Sequence, residues 1–262
     1  MTELKAIFLG FLQGATEFLP VSSSGHLVMG QELLGLSVPG ITFEIVVHVA
    51  TLLSVLVVYR ERLLDLARKT LVKREGEAWR YVGLLTLATL PVAVVGLTQR
   101  ARVEALFETP VTVGVALLFT GTILVSTRWA LKRELGDRFG WRAALLIGVA
   151  QCLALVPGVS RSGVTVTAAL WLGVSPIEAA AFSFLLSIPA IAGAAVLHAP
   201  ELTGGTAGVA PLPLGLAFVT AAITGILAIR IFVGMLRNRS FPAFSVYCWF
   251  AGLGFLAWLA MA

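Results

Sequence analysis

The chain has 262 residues, of which 58% are hydrophobic and 13% charged, and its mean hydropathy is +0.94. A soluble domain carries about 25% charged residues, so this composition excludes a soluble globular fold. The net charge of +5 does not point to nucleic acid, because the basic residues lie in short stretches between apolar runs. Those runs are long enough for helices that cross a bilayer core, which takes about 20 residues each. No ten-residue alternation of the barrel kind is present, so the spans are expected to be helices.

The first apolar stretch carries Gln13, Glu17 and Pro20 and no small-residue cleavage site. It therefore does not read as a cleavable signal. Cys152 and Cys248 both lie in apolar segments, with no spacing that suggests a metal or redox site, and read as packing residues.

Charge placement sets the topology. Fifteen of the 19 Lys and Arg fall in Arg60–Arg80, Arg128–Arg142 and Arg230–Arg239, which the positive-inside rule makes cytoplasmic. Arg100–Glu108 is balanced and His198–Pro213 holds only Glu201, so both are expected outside. Six spans fit this alternation: 41–59, 81–99, 110–127, 177–197, 214–231 and 243–262. Two apolar segments, 6–37 and 143–175, are left over, each interrupted midway by Pro, Gly and Ser. One crossing by either would break the alternation, so both are expected to enter the membrane and return as re-entrant hairpins. Such backbone survives at membrane depth only when buried in protein or lining a wet cavity.

The two leftover segments resemble each other at an offset of 138 residues. Gly10, Gln13, Val21, Ser22, Ser24, Gly25, Val28, Leu34, Gly35 and Ser37 match Gly148, Gln151, Val159, Ser160, Ser162, Gly163, Val166, Leu172, Gly173 and Ser175. The expected fold is therefore an all-α polytopic membrane protein. It has six transmembrane helices and two re-entrant hairpins in an inverted-topology repeat, with halves of about 1–127 and 139–262. Paired broken helices of this kind place the functional site where the breaks meet.

The first break reads Gln13-Gly-Ala-Thr-Glu17-Phe-Leu-Pro20-Val-Ser22-Ser23-Ser24-Gly25-His26. Gln13 and Glu17 share a helix face, and Pro20 ends or kinks that helix. The serines then stand at the start of a new helix, whose free N–H groups bind anions. The second break reads Pro157-Gly158-Val159-Ser160-Arg161-Ser162-Gly163-Val164-Thr165. Arg161 is the only basic residue outside the loops and the extreme N-terminus, and a lone Arg in an apolar segment marks function. Its planar fork suits phosphate, and Ser160, Ser162 and Thr165 add donors. Arg161 can equally be a structural partner of Glu17.

Other intramembrane polar groups carry less. Glu44 and His48, four apart, either line the same cavity or form a helix pair. Glu178, after Ser175 and Pro176, reads as a first-turn carboxylate. Glu32 reads as interfacial, and Arg60–Arg80 as a solvated or surface-lying amphipathic helix.

Together the runs Gln13–His26 and Pro157–Thr165 resemble the undecaprenyl-diphosphate phosphatase family, also called the bacitracin-resistance family. Its signatures are a Glu/Gln-rich helix leading into a Ser-Ser-Gly-His-type turn, and a Pro-Gly-x-Ser-Arg-Ser-x-x-Thr motif. The stretch Phe43–Thr51, with Glu44 and His48, also looks like the family's segment after the first motif. The resemblance spans nearly the whole chain. It implies a bacterial inner-membrane hydrolase that converts undecaprenyl diphosphate to undecaprenyl phosphate, recycling the cell-wall lipid carrier and conferring bacitracin resistance. It also implies six spans with two re-entrant hairpins, a site facing the periplasm, and stimulation by a divalent cation, Mg2+ or Ca2+. Glu17 is then a metal ligand together with Gln13, which puts an amide where some members carry a carboxylate.

The chemistry expected is phosphoryl transfer. Ser23 attacks the terminal phosphorus, with His26 as general base or acid; the variant with His26 as nucleophile stays open. Glu17 orients a metal ion or the histidine. Arg161, with Ser22, Ser24, Ser160, Ser162, Thr165 and backbone N–H groups, holds the diphosphate. The expected partners are a polyprenyl diphosphate, membrane lipid and a second copy of the chain in a homodimer. The alternative is a lipid-phosphate transporter using the same inverted-repeat site.

Overall fold

The computed structural model describes residues 1–36, 42–107, 109–198 and 209–261. Among these residues every regular element is a helix. The order is α1 Glu3–Phe18, α2 Ser23–Leu33, α3 Thr42–Val58, α4 Arg60–Ala67, α5 Gly76–Thr98, α6 Arg100–Phe107, α7 Pro110–Ala130, α8 Trp141–Cys152, α9 Arg161–Trp171, α10 Pro176–Leu197, α11 Pro211–Arg237 and α12 Phe244–Met261. Pro110, Pro176 and Pro211 each sit in the first turn of a long helix, where a missing N–H leaves no bond unmade. Thr2 and Ser175 cap α1 and α10 with their hydroxyls.

The helices α5, α7, α10, α11 and α12 are long and apolar enough to cross a membrane. Helix α3, of 17 residues, is long enough only together with Arg60–Val72, from which a 73° bend separates it, and that bent pair is the sixth candidate span. These match the six spans expected from charge placement. The expected termini at 41 and 262, Glu108, and Glu201 in the loop before α11 lie outside the described residues.

The two interrupted segments do not cross. Helices α1, α2, α8 and α9 have 16, 11, 12 and 11 residues, short of the ~20 needed to span. Within each pair the two helices pack on each other, and the chain returns to where it started. Lys5 Nζ donates to Leu34 O at 3.0 Å, joining the beginning of α1 to the end of α2. In the second hairpin Gly136 N donates to Gly173 O at 2.8 Å and Ser175 N to Gly136 O at 2.7 Å. Arg133 Nη1 reaches Trp171 O at 2.9 Å, so the end of α9 lies beside the loop that leads into α8.

Each hairpin is clasped by a long helix from the other half of the chain: α1 by α11, α8 by α5. The clasp depends on two glycines that match in sequence. A Cβ on Gly10 would stand 2.4 Å from Ala217 O, and a Cβ on Gly148 would stand 2.4 Å from Ala88 O. Small residues let helix backbones approach this closely in membranes, where van der Waals packing replaces hydrophobic drive. Gly83, also on α5, has nothing within 4 Å of its position. Gly148→Ala is therefore expected to lower thermal stability in detergent by about 1–3 kcal/mol. Gly83→Ala is expected to leave stability unchanged or raise it by up to about 1 kcal/mol, the helix-propensity difference. Equal effects of the two would show that the close contact is not what holds the hairpin.

Candidate active site

The two breaks are built alike. Helix α1 stops at Phe18 because Pro20 cannot continue it. Ser22 then takes φ +68 and ψ 100, a conformation rare for a residue with a side chain. Its Oγ caps α2 by accepting from Gly25 N at 3.3 Å, and its hydroxyl meets that of Ser24 at 3.3 Å. At the second break Gly158 has φ +97, and a Cβ there would meet Val113 O at 2.6 Å, so only glycine fits. Ser160 Oγ caps α9 by accepting from Gly163 N at 3.1 Å and meets Ser162 Oγ at 3.2 Å. Ser23 and Arg161, matched positions of the two segments, are thus each the first residue of a helix.

The breaks touch. Gly25 lies against Gly158, and Ser162 Oγ donates to Leu19 O at 3.3 Å. Between them sits the buried carboxylate of Glu17. Its Oε1 accepts from Arg161 Nη2 at 2.7 Å. Its Oε2 accepts from Gln13 Nε2 at 3.0 Å and from Ser23 Oγ at 2.5 Å. His48 Nε2 stands 3.7 Å from the same Oε2. Arg161 also donates through Nη1 to Ser183 O at 3.2 Å. Charge-assisted bonds of this kind are shorter and stronger than neutral ones, and in a low-dielectric site they fix the geometry of everything attached to them.

Of the residues expected at the site, Gln13, Glu17, Ser23 and Arg161 come together, with half-buried Ser24 beside Ser23. The others have different contacts. His26 Nδ1 donates to Ser22 O at 2.8 Å, and Nε2 meets Tyr247 Oη at 2.6 Å, with the two rings stacked. His26 therefore ties the first break to α12, and both its nitrogens are engaged away from Ser23. Thr165 is buried. It donates to Arg161 O at 2.8 Å and shares a hydrogen bond of 2.7 Å with Ser183 Oγ, holding α9 to α10. Ser22, Ser160 and Ser162 are buried in caps and bridges.

Four residues outside the two motifs enter the site or hold it. Thr120 donates to Gly158 O at 2.9 Å and accepts from Ser160 N at 3.2 Å, fixing the second break. Ser183 and Tyr247 anchor Arg161 and His26. His48 was legible only as a spacing to Glu44, and the side chains of those two residues are not paired. Glu44 Oε1 accepts from Gln31 Nε2 at 2.9 Å, whereas His48 Nδ1 donates to the main-chain Glu44 O at 2.6 Å. Glu178 is the expected first-turn carboxylate of α10. It accepts from Arg62 Nη2 at 2.6 Å and from Tyr81 Oη at 2.9 Å, which joins the α3–α5 connection to α10.

Below the site lies an aromatic floor. Phe18 meets Phe184, which also meets Tyr59 and Phe232, and Phe232 meets Phe241. In sequence, Tyr59 adjoins Arg60, and Phe232 and Phe241 lie within and beside the basic stretch Arg230–Arg239.

These residues do not fit a metal ion held by the protein alone. Both Glu17 oxygens accept from donors, and Gln13 turns its amide N–H toward the carboxylate, leaving only a buried Oε1 with no partner among the described residues. Among the described residues no group of three or more His, Cys, Asp and Glu could hold a metal.

The family model described as bacitracin resistance protein BacA matches residues 6–254. The chain is 41% identical to an undecaprenyl-diphosphatase of Desulforapulum autotrophicum, covering 95% of each chain. It is 40% identical to one of Elusimicrobium minutum, covering 94% of each, and 41% identical to one of Geobacter sulfurreducens, covering 99% of each. Matches of this length, which span both broken-helix segments of this chain, place it in the bacitracin resistance protein BacA family.

Proposed function

We propose that this protein hydrolyses undecaprenyl diphosphate to undecaprenyl phosphate and inorganic phosphate, with Ser23 as nucleophile. The relatives' name supports the reaction, and supports it over lipid transport at the same site. The observation that carries the mechanism is the 2.5 Å hydrogen bond from Ser23 Oγ to Glu17 Oε2, which gives the hydroxyl an acceptor at the moment of attack.

In the first step Ser23 Oγ attacks the terminal phosphorus and its proton moves to Glu17. The bridging P–O bond breaks, and undecaprenyl phosphate leaves with the electron pair. Water then attacks the phosphoserine, and Ser23 recovers its proton as phosphate departs. Arg161 uses two of its N–H groups on Glu17 and Ser183; the rest of its fork is available to the phosphates. The N-termini of α2 and α9 converge on the same place, and their free N–H groups favour the charge that develops on the transferred group. No step is routed through a divalent cation. The prenyl chain stays in lipid and reaches the site from the side. The engaged nitrogens of His26 favour Ser23 over His26 as nucleophile.

The orientation belongs to the same reading. Basic loops facing the cytoplasm support an inner-membrane protein whose site opens to the periplasm. The matched glycine clasps and helix caps support two halves, 1–127 and 139–262, of opposite orientation.

Three measurements test this. Ser23→Ala is expected to stay folded and lose turnover by on the order of 10³-fold or more, with phosphoserine trapped at Ser23 in the parent protein. Near-normal turnover of the variant removes Ser23 from the role. Arg161→Ala is expected to cost about 3–5 kcal/mol, because it strands a buried carboxylate; adding Glu17→Gln should restore most of that stability but no activity. Arg161→Lys should stay folded and lose most activity, since a point charge cannot replace the fork. Single cysteines report orientation: one at Ala101 on α6 should react with an impermeant maleimide from outside, and one at Gly76 only after permeabilisation. The reverse pattern overturns the orientation.

A further inference from the structure

The Arg161 guanidinium is held by Glu17 and Ser183. Its backbone is held from a different helix. The turn that delivers it is built on glycine, and glycine does not choose its own conformation, because it enters positive and negative φ about equally. Gly158 stands at φ +97, so contacts outside the turn must select that state. Gly158 and Ser160 are both buried, and the carbonyl of one and the N–H of the other require partners there. One hydroxyl serves both. Thr120 Oγ1, on α7 and 1% exposed, donates to Gly158 O at 2.9 Å and accepts from Ser160 N at 3.2 Å. Ser160 caps α9 and Arg161 is its first residue, so the bridge ends on the residue before the arginine. Thr127, as deeply buried on the same helix, instead donates to Leu124 O within α7.

We propose that Thr120 is a positioning residue for the diphosphate: by bridging Gly158 O and Ser160 N it sets where α9 begins, and through that where Arg161 presents its fork. This rests on the reading of Arg161 as the group that binds the phosphates. Thr120 acts through the turn and does not touch the substrate. Its hydroxyl is needed for both halves of the bridge, since it must give one hydrogen bond and accept another, and a serine or threonine oxygen can do both at once. Valine fills the same space and can do neither. It would leave two buried main-chain groups without a partner, and the glycine turn would then relax to find others. The start of α9 would move with it, carrying Arg161 and the free N–H groups of the helix's first turn off the positions that suit the transferred phosphate.

The test uses the purified full chain in detergent with undecaprenyl diphosphate, measuring kcat and KM from phosphate release, and thermal stability beside them. The variants are Thr120→Val, Thr120→Ser, Thr127→Val, Arg161→Lys and the double change Thr120→Val with Arg161→Lys. Thr120→Val is expected to lose about 10–100-fold in kcat/KM, the scale of a small misplacement at a reacting centre, with KM raised as well as kcat lowered. Thr120→Ser, which keeps the hydroxyl, should return close to the parent, and Thr127→Val should stay there. In the Arg161→Lys background Thr120→Val should add little further loss, because the fork it positions is already gone. Should Thr120→Val not fold, Thr120→Ala takes its place with the same expectations. Parent-level kcat/KM in the folded Thr120 variant overturns the proposal, as does an equal loss in Thr120→Ser, or a loss that multiplies in full with that of Arg161→Lys. Parent-level kcat/KM in Arg161→Lys would overturn the underlying reading of Arg161 and the proposal with it, so the two failures are told apart.

Discussion

A carboxylate buried at membrane depth is tolerable only if its charge is met by opposite charge and hydrogen bonds, and Glu17 is met by both. The Arg161 guanidinium lies across its Oε1, and Gln13 and Ser23 donate to its Oε2. Neither ion could stay there alone, since each isolated buried charge costs several kcal/mol. The pair therefore locks together two segments that are 144 residues apart in the chain, and it does so at the point where both helices are broken. Burying such a pair adds little net stability against an apolar core. Its value lies in precision: with both ends fixed, Ser23 is held on an acceptor at 2.5 Å before any substrate arrives, which is the geometric condition for efficient attack.

The related backbones of the two hairpins explain why these residues meet. Ser23 and Arg161 stand at matched positions, each the first residue of a helix capped by the preceding serine. One backbone device, used twice and brought face to face, thus presents the hydroxyl proposed as nucleophile on one side and the guanidinium proposed to bind phosphate on the other. The match also shows where the halves part company. Gln13 has Glu17 four residues on, whereas Gln151 has Leu155. The Gln151 amide is buried, and neither of its polar atoms finds a partner among the described residues. The amide position was kept in both halves while the carboxylate exists in one, so a single site forms at the junction rather than two.

Much of this was legible in the sequence, for physical reasons that differ by feature. The six spans and the returning segments follow from apolar length and from where Lys and Arg stand, and both are whole-segment properties that no single packing detail can reverse. The meeting of Glu17, Ser23 and Arg161 followed from isolated polar groups on interrupted helices, which lipid makes too costly to keep without a purpose. The direction a side chain takes within a turn was not legible. His26 is three residues from Ser23 and reads as its base, yet the helix started by Ser22 swings the imidazole toward Tyr247 on α12, a residue with no motif around it. Thr120 and Ser183 likewise belong to long helices whose sequences look like ordinary span. Their roles arise only because α7 and α10 pass the second break at the right height.

The asymmetry of the surroundings completes the chemical argument. Beside Glu17 the site meets Phe18, Phe184, Tyr59, Phe232 and Phe241 in edge-to-face contact. The polar groups continue from Glu17 to His48, Glu44 and Gln31. The low dielectric around Glu17 and Arg161 strengthens the interactions they make. An active site for a lipid diphosphate needs this combination. The apolar tail must remain in the bilayer, the charged head must leave it, and the transferred phosphate must depart to water without carrying the prenyl chain along. Broken helices whose ends meet inside the protein suit the proposed reaction, because they bring helix N-termini together without exposing unpaired backbone to the hydrocarbon.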